Sequence, residues 1–300
     1  MNVLLRLLLL LSAGLCALPA GTETTLRIYY TASLNGNLDG CNCDMNPVAG
    51  LVKRAAFLRN LEPTGPTLIV DAGDIFDEYP DPDLEQHILG VYEQLGYDAI
   101  ALGDQELAAG AGAVGKYRTA YPLICHNLSF PVPQTERDLF TPAPVIIERG
   151  GLRIAIIALL DSSTVSAAAD RGIEISDPVS TARQMLASVQ RSAVNLTVLL
   201  YHGPFGSAAE LVKTCPGIDV VIFAHEQQLV APRKTGSAVF ASPGKDGDHL
   251  GILTLHLGSR GIEKIESEFR FFSYTKGPDD PAVRSRIDTY RQKLRSHLFY

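Results

Sequence analysis

Two stretches decide how this chain folds: Thr67-Leu68-Ile69-Val70-Asp71-Ala72-Gly73-Asp74 and Ala99-Ile100-Ala101-Leu102-Gly103-Asp104-Gln105-Glu106. Each is a short apolar run that stops at glycine and acidic residues. Such a run, bounded by turn formers, reads as a strand buried on both faces. Between them, residues 84–95 have helical spacing and close at Gly96, the residue type that ends helices most readily. Strand, helix and strand, with polar residues at the strand ends, is the layout of an α/β sheet.

The pattern continues outward. Residues 26–30 read as a first strand, followed by a Gly/Asn-rich loop through Asn35-Gly36-Asn37 and Asp39-Gly40-Cys41-Asn42-Cys43. Over 51–61, Leu51, Ala55, Leu58 and Leu61 fall on one side of a helix that Pro63 and Pro66 stop. Residues 122–125 are strand-like, and 144–148 and 152–157 flank Gly150-Gly151 as a hairpin. A helix is expected over 178–190. Strands at 196–200 and 220–223 end at Tyr201-His202-Gly203 and Ala224-His225. Further strands fall at 239–241, 251–255 and 266–274, and a charged helix at 280–298. No internal repeat or linker interrupts this order. The chain reads as one sheet-centred α/β domain over 24–275 with a C-terminal helix over 276–300.

Hydrophobic residues make up 46% of the 300 residues and charged ones 20%, enough apolar material for a sizeable core. The formal net charge of -7 argues against a basic surface for nucleic acid. It does not exclude a phosphate ligand, because a metal supplies positive charge locally.

The N-terminus carries a targeting signal. Residues 1–6 hold one positive charge, 4–15 are mostly apolar, and Ala17, Pro19 and Ala20 precede a polar stretch. This reads as a signal peptide over 1–20, the alternative being an uncleaved anchor. The apolar run is short for a spanning helix, and no later segment is long enough for one. Export to a periplasmic or extracellular location follows. Cys16 raises the question of a lipoprotein, but Leu15 stands where such sites take a small residue, so no lipid anchor is expected.

Chemistry is expected at the strand ends, where open α/β sheets bind ligands. Five ends carry candidate groups: Ser33 and Asn35; Asp74; Asp104 and Gln105; His202; His225 and Gln227. Any one alone is more often a cap or a turn. Their recurrence in this order is harder to explain that way.

In these stretches the chain resembles the calcineurin-like metallophosphoesterases, specifically the N-terminal domain of bacterial 5′-nucleotidases. That family carries D-x-H, G-D, G-N-H-E, a lone His and G-H-x-H after successive strands. Here the matching stretches are Thr31-Ala32-Ser33-Leu34-Asn35-Gly36, Asp71-Ala72-Gly73-Asp74, Gly103-Asp104-Gln105-Glu106, Tyr201-His202-Gly203 and Ala224-His225-Glu226-Gln227. Leu95-Gly96-Tyr97-Asp98-Ala99-Ile100, Asn127 and Gly251 also fit the family's supporting text. The resemblance implies an α/β sandwich of two mixed β-sheets flanked by helices. It also implies a centre for two metal ions.

Several of that centre's positions are changed. Asp74 keeps the bridging carboxylate, and His202 and His225 keep two ligands of the second metal. Asp104 replaces an amide ligand and still coordinates. Ser33 and Asn35 stand where first-metal ligands are expected, and Gln227 replaces a final histidine. Gln105 replaces the catalytic histidine; it donates a hydrogen bond but cannot move a proton. Asp74, Asp104, His202 and His225 are therefore expected to hold one divalent ion (Mn, Zn or Fe) rather than two, the alternative being a vestigial polar cluster. The nucleoside-holding C-terminal domain of nucleotidases is expected to be missing. Gly110-Ala111-Gly112 lacks the setting of a phosphate loop. No organic cofactor site is evident.

Cys41-Asn42-Cys43 stands apart from the family pattern. Surface thiols, a loop staple to Cys125 or Cys215, and a redox or soft-metal pair beside the altered site are all open readings. The expectation is an exported, 5′-nucleotidase-like protein with weak or no hydrolase activity. The alternatives are a redox or metal-binding module on Cys41 and Cys43, and an active hydrolase of narrow specificity. Its partner, a small molecule or a protein, is left open.

Overall fold

The computed structural model describes residues 24–42, 47–130, 138–166, 172–191, 193–259 and 261–298. The signal-peptide reading of 1–20, Cys16 and Cys43 lie outside the described residues.

The two deciding stretches form neighbouring strands of one sheet. In it, β1 (Thr24–Thr31), β2 (Thr67–Asp71), β3 (Ala99–Ala101) and β4 (Leu123–Ile124) run parallel. The hairpin of β14 (His249–Gly258) and β15 (Gly261–Phe271) adds to the outer side of β1, giving the order β15-β14-β1-β2-β3-β4. The second sheet holds β7 (Val145–Arg149), β8 (Leu152–Leu160), β10 (Leu196–His202), β11 (Val220–Ala224), β12 (Leu229–Thr235) and β13 (Ala238–Pro243). Its order is β12-β13-β11-β10-β8-β7, parallel at the centre and antiparallel at both edges. A small sheet joins β5 (Leu128–Phe130), β6 (Asp138–Leu139) and β9 (Glu174–Ile175).

Three hydrophobic layers follow from strand alternation. Leu26, Ile28 and Tyr30 of β1 meet Val198 and Leu200 of β10 between the sheets. The outer face of the first sheet is covered by α1 (Gly50–Arg59), α2 (Pro82–Leu95) and α6 (Pro281–Leu298), through Leu51, Leu58, Ile88 and Ile287. The outer face of the second is covered by α4 (Pro178–Arg191) and α5 (Phe205–Thr214), through Met185, Leu186 and Leu211. A short α3 (Ala111–Tyr117) completes the set. This is the expected α/β sandwich of two mixed sheets flanked by helices.

Local chemistry explains the boundaries. Asp81 caps α2 by accepting from the N–H groups of Asp83 and Leu84, and Gly96 closes it at φ 68°. Gly251 pairs with Tyr30 across β1 and β14, and a Cβ there would lie 1.9 Å from the tyrosine ring. The C-terminal helix is pinned to the body by Arg59–Asp280 at 2.5 Å and Tyr290–Asp81 at 2.7 Å.

The last strand begins at Gly261, earlier than the sequence pattern suggests, because pairing with β14 runs the length of the hairpin. The exposed edge strand β12 is absent from the sequence reading. It contains Pro232 beside a register shift, which breaks the usual strand signal. No helix among the described residues is long and apolar enough to cross a membrane.

Candidate metal centre

The C-terminal ends of β1, β2, β3, β10 and β11 converge, bringing both sheets to one edge. The β1 and β2 ends are laced together: Ser33 N–H donates to the Gly73 carbonyl at 2.8 Å and Asn35 N–H to that of Asp74 at 3.0 Å. The sheets are tied by His202, whose Nδ1 lies 2.9 Å from the Ala72 carbonyl. Gly103 leaves the room these groups need. A Cβ there would sit 2.2 Å from Asp74 Oδ1 and 2.7 Å from His202 Cε1.

Four expected ligands come together. One donor atom each from Asp74, Asp104, His202 and His225 falls within a 4.8 Å cluster. His202 Nε2 is 3.3 Å from Asp74 Oδ2 and 3.1 Å from Asp104 Oδ1. His225 Nδ1 is also 3.1 Å from Asp104 Oδ1. His202 is fully buried and Asp74 nearly so; Asp104 and His225 are partly exposed.

A carbonyl only accepts, so the bond to Ala72 puts a proton on His202 Nδ1. Its Nε2 then faces two carboxylates. A neutral ring would point a lone pair at negative oxygens, so the arrangement calls for a cation: a second proton or a metal ion. Burial pulls the His202 pKa down, but the Asp74 carboxylate outweighs it and the value is raised. Burial would raise Asp104; the two histidine hydrogen bonds outweigh it and hold it well below the usual carboxylate range. Two carboxylates and two imidazoles are a fitting donor set for a divalent transition metal.

The other side of Asp74 is different. Its Oδ1 takes the Gln105 N–H at 3.2 Å. Gln105 Nε2 donates to Asn35 Oδ1 at 3.0 Å, and Asn35 Nδ2 donates to Asp246 Oδ1 at 2.8 Å. Asn37 Nδ2 reaches the same Asp246 oxygen at 3.1 Å, and Lys245 Nζ lies 3.3 Å from Asp246 Oδ2. The Ser33 hydroxyl is buried without a hydrogen-bond partner among the described residues. Amides and one Lys–Asp pair thus occupy the side where the resemblance places a first metal.

The backbone frame is unusual. Among the described residues, seven non-glycine residues have left-handed φ, and six belong to these loops: Ser33, Asn35, Asp74, His225, Gln227 and Asp246, at 45–90°. Each such residue costs about 1–3 kcal/mol and persists only where its surroundings hold it.

Asp246, Lys245 and the role of Glu106 escaped the sequence reading. Asp246 lies just after β13, so the strand-end rule would have found it; its N–H also donates to the Ser33 carbonyl at 2.7 Å. Buried Glu106 accepts four backbone N–H groups, from Asp74, Ile75, Phe76 and Gly103, and so fixes two strand-end turns. Burial, then the Asp74 charge, push its pKa up to about 7.

The cysteine staple is corrected. Cys125 and Cys215 are both free and buried, one at the end of β4 and one after α5. Burial pushes the Cys125 thiol up to about 12, away from a reactive thiolate. Cys41 is disulfide-bonded, with its partner outside the described residues, and its backbone pairs with Val48 before α1. The four-ligand cluster includes no cysteine among the described residues.

No family model matches the chain. It is 23% identical to a 5′-nucleotidase of Mus musculus over 329 residues, covering 96% of this chain and 56% of that protein. Among solved structures it is similar to a 5′-nucleotidase precursor from Thermus thermophilus, with TM-score 0.77 and 18% identity, covering 91% of this chain and 59% of that one. The calcineurin-like phosphoesterase YfkN from Bacillus subtilis superposes with TM-score 0.75 at 16% identity, covering 93% of this chain and 100% of that one. The chain thus spans little more than half the length of the nucleotidases it matches.

Proposed function

We propose that this chain, with its metallophosphoesterase fold, is an exported protein that holds one divalent ion and hydrolyses phosphoesters weakly or not at all. The asymmetry about Asp74 carries the reading. Asp74, Asp104, His202 and His225 gather on one side, while Asn35 and Gln105 bond to each other on the other.

Asp74, Asp104, His202 and His225 would hold the ion, whose chemistry is Lewis-acid polarisation of a phosphoryl oxygen. Asp74 and Asp104 supply its countercharge. The Ala72 carbonyl fixes the ring of His202 so that Nε2 faces the cluster. Gln105 orients and cannot protonate a leaving group, and loss of a general acid costs about 10²–10⁴-fold in rate. The names of the relatives make nucleoside monophosphates the substrates to try.

The test is metal analysis after Mn²⁺ or Zn²⁺ loading, beside an assay with nucleoside monophosphates. About one ion per chain is expected, with turnover far below the roughly 10 s⁻¹ of a typical enzyme. Two ions per chain, none, or ordinary turnover would overturn the reading. Export is checked by the mass of protein recovered outside the cytoplasm; an intact Met1 contradicts a cleaved signal.

One observation bears on a second reading. Cys41 is disulfide-bonded while Cys125 and Cys215 are free and buried. A redox role for the Cys41–Cys43 loop requires such a bond, and a structural role requires it equally. Replacing both by Ser, with thiol titration and metal content as readouts, separates that role from a structural one.

A further inference from the structure

A hollow of about 490 Å³ lies away from the metal centre, between the second half of α1 and the chain leaving β15. That volume is in the range of small-molecule sites. Phe57 of α1 and Phe272 form its aromatic wall, with ring centroids 5.9 Å apart and edge to face. The Arg270 guanidinium lies 5.5 Å from the centre of the Phe57 ring.

The charges around this wall are uneven. Lys53, Arg270 and Lys276 line the hollow against one acid, Glu62, in a chain whose net charge is -7. Lys53 is committed: it pairs with Asp279 at 2.9 Å and donates to the Gly277 carbonyl at 2.9 Å. Arg270 and Lys276 pair with no carboxylate among the described residues. A guanidinium held over an aromatic face keeps its N–H fork available for an anion.

We propose that this hollow binds a small organic anion with a planar apolar body, such as an aromatic sulfonate or carboxylate. The body rests on Phe57 and Phe272, and the anionic group meets Arg270 and Lys276. None of these residues belongs to the metal centre, so binding does not depend on the ion.

The test uses the full chain and 8-anilinonaphthalene-1-sulfonate, whose fluorescence rises in apolar surroundings. One saturable site is expected, equal with and without added Mn²⁺. Arg270→Gln is expected to raise Kd about tenfold, the loss of one charged contact, and Phe57→Ala to weaken binding similarly. The uncharged N-phenyl-1-naphthylamine should bind at least about tenfold more weakly than the sulfonate. Lys234→Gln, which removes a cation elsewhere, should leave Kd unchanged. Thermal melts confirm that each variant is folded. If Arg270→Gln leaves Kd unchanged, or the uncharged probe binds as tightly, the hollow is an apolar surface and the proposal fails. Multiple weak sites insensitive to Phe57→Ala overturn it as well.

Discussion

Gln105 and Asn35 are hydrogen-bonded to each other, Nε2 to Oδ1 at 3.0 Å, although they are 70 residues apart in the chain. Both stand at positions where the resemblance expects a histidine. The two changes therefore satisfy one another, and Asp246 closes the chain of bonds from Asn35.

A single reversion should not restore chemistry. Gln105→His breaks the bond to Asn35 and leaves Ser33 and Asn35 as poor ligands. We expect no more than a few-fold change in phosphoester turnover. The triple change Ser33→Asp, Asn35→His and Gln227→His should instead raise bound metal from about one ion per chain toward two, as read by elemental analysis. A large gain in rate from Gln105→His alone would contradict this.

Removing His225 separates binding from folding. His225 is partly exposed, unlike fully buried His202. His225→Ala should weaken Mn²⁺ or Zn²⁺ by roughly 10–100-fold or more, since even indirect partners of metal ligands cost that much. Calorimetric titration measures it. Stability of the metal-free protein should change little.

Glu106 holds two turns at once through four backbone N–H groups. An amide in its place presents one oxygen and one NH₂, so some of those donors would face another donor. Glu106→Gln should cost about 2–4 kcal/mol, since hydrogen bonds to a charged group contribute ~1.5–3 kcal/mol each. Urea denaturation reads the loss, and metal affinity should fall with it.

Buried Arg54 donates to the Tyr92 hydroxyl at 2.5 Å, which donates to Asp71 at 2.9 Å. Burial raises the Asp71 carboxyl and the Arg54 charge opposes it. Arg54→Met leaves a buried acid uncompensated and should cost about 3–5 kcal/mol. Adding Asp71→Asn should recover part of that loss. A double variant less stable than Arg54→Met would argue against the charge account.

His126 sets an acid limit. Its Nε2 lies 3.0 Å from the Ala143 carbonyl, and its Nδ1 lies 3.0 Å from the Ala158 N–H and 3.1 Å from the Ala158 carbonyl, in a buried setting that disfavours the charged ring. Burial lowers its pKa below the ordinary 6.5. Below about pH 6.5 the unfolded chain takes a proton that the folded chain refuses, so this contribution to stability falls as pH falls. Melts from pH 7.5 to 5 should show a decline that is smaller in His126→Gln.

The sequence carried the fold well because its central strands are short apolar runs closed by glycine and acid, as in 67–74 and 99–106. It also named the four residues that cluster, because each lies at the end of a strand or within three residues after one. It missed Asp246 and Lys245, which follow β13 and were open to the same strand-end rule, although that this strand end joins the site follows only from β13 lying beside β11. Glu106 stood in a quoted motif, yet its task is to bind backbone, and residue type alone does not say so. Cys41 illustrates the limit of spacing arguments: proximity in sequence to Asn37 and Asn35 did not bring it into the cluster.

The bond from His202 to Ala72 joins residues 130 apart and belonging to different sheets. Neither sheet alone contains the cluster, so an ion finds its full set of donors only after both have formed and docked. Contacts this distant in sequence are made late and slow the approach to the native state. An ion bound there should therefore leave the refolding rate nearly unchanged and lengthen the lifetime of the folded chain.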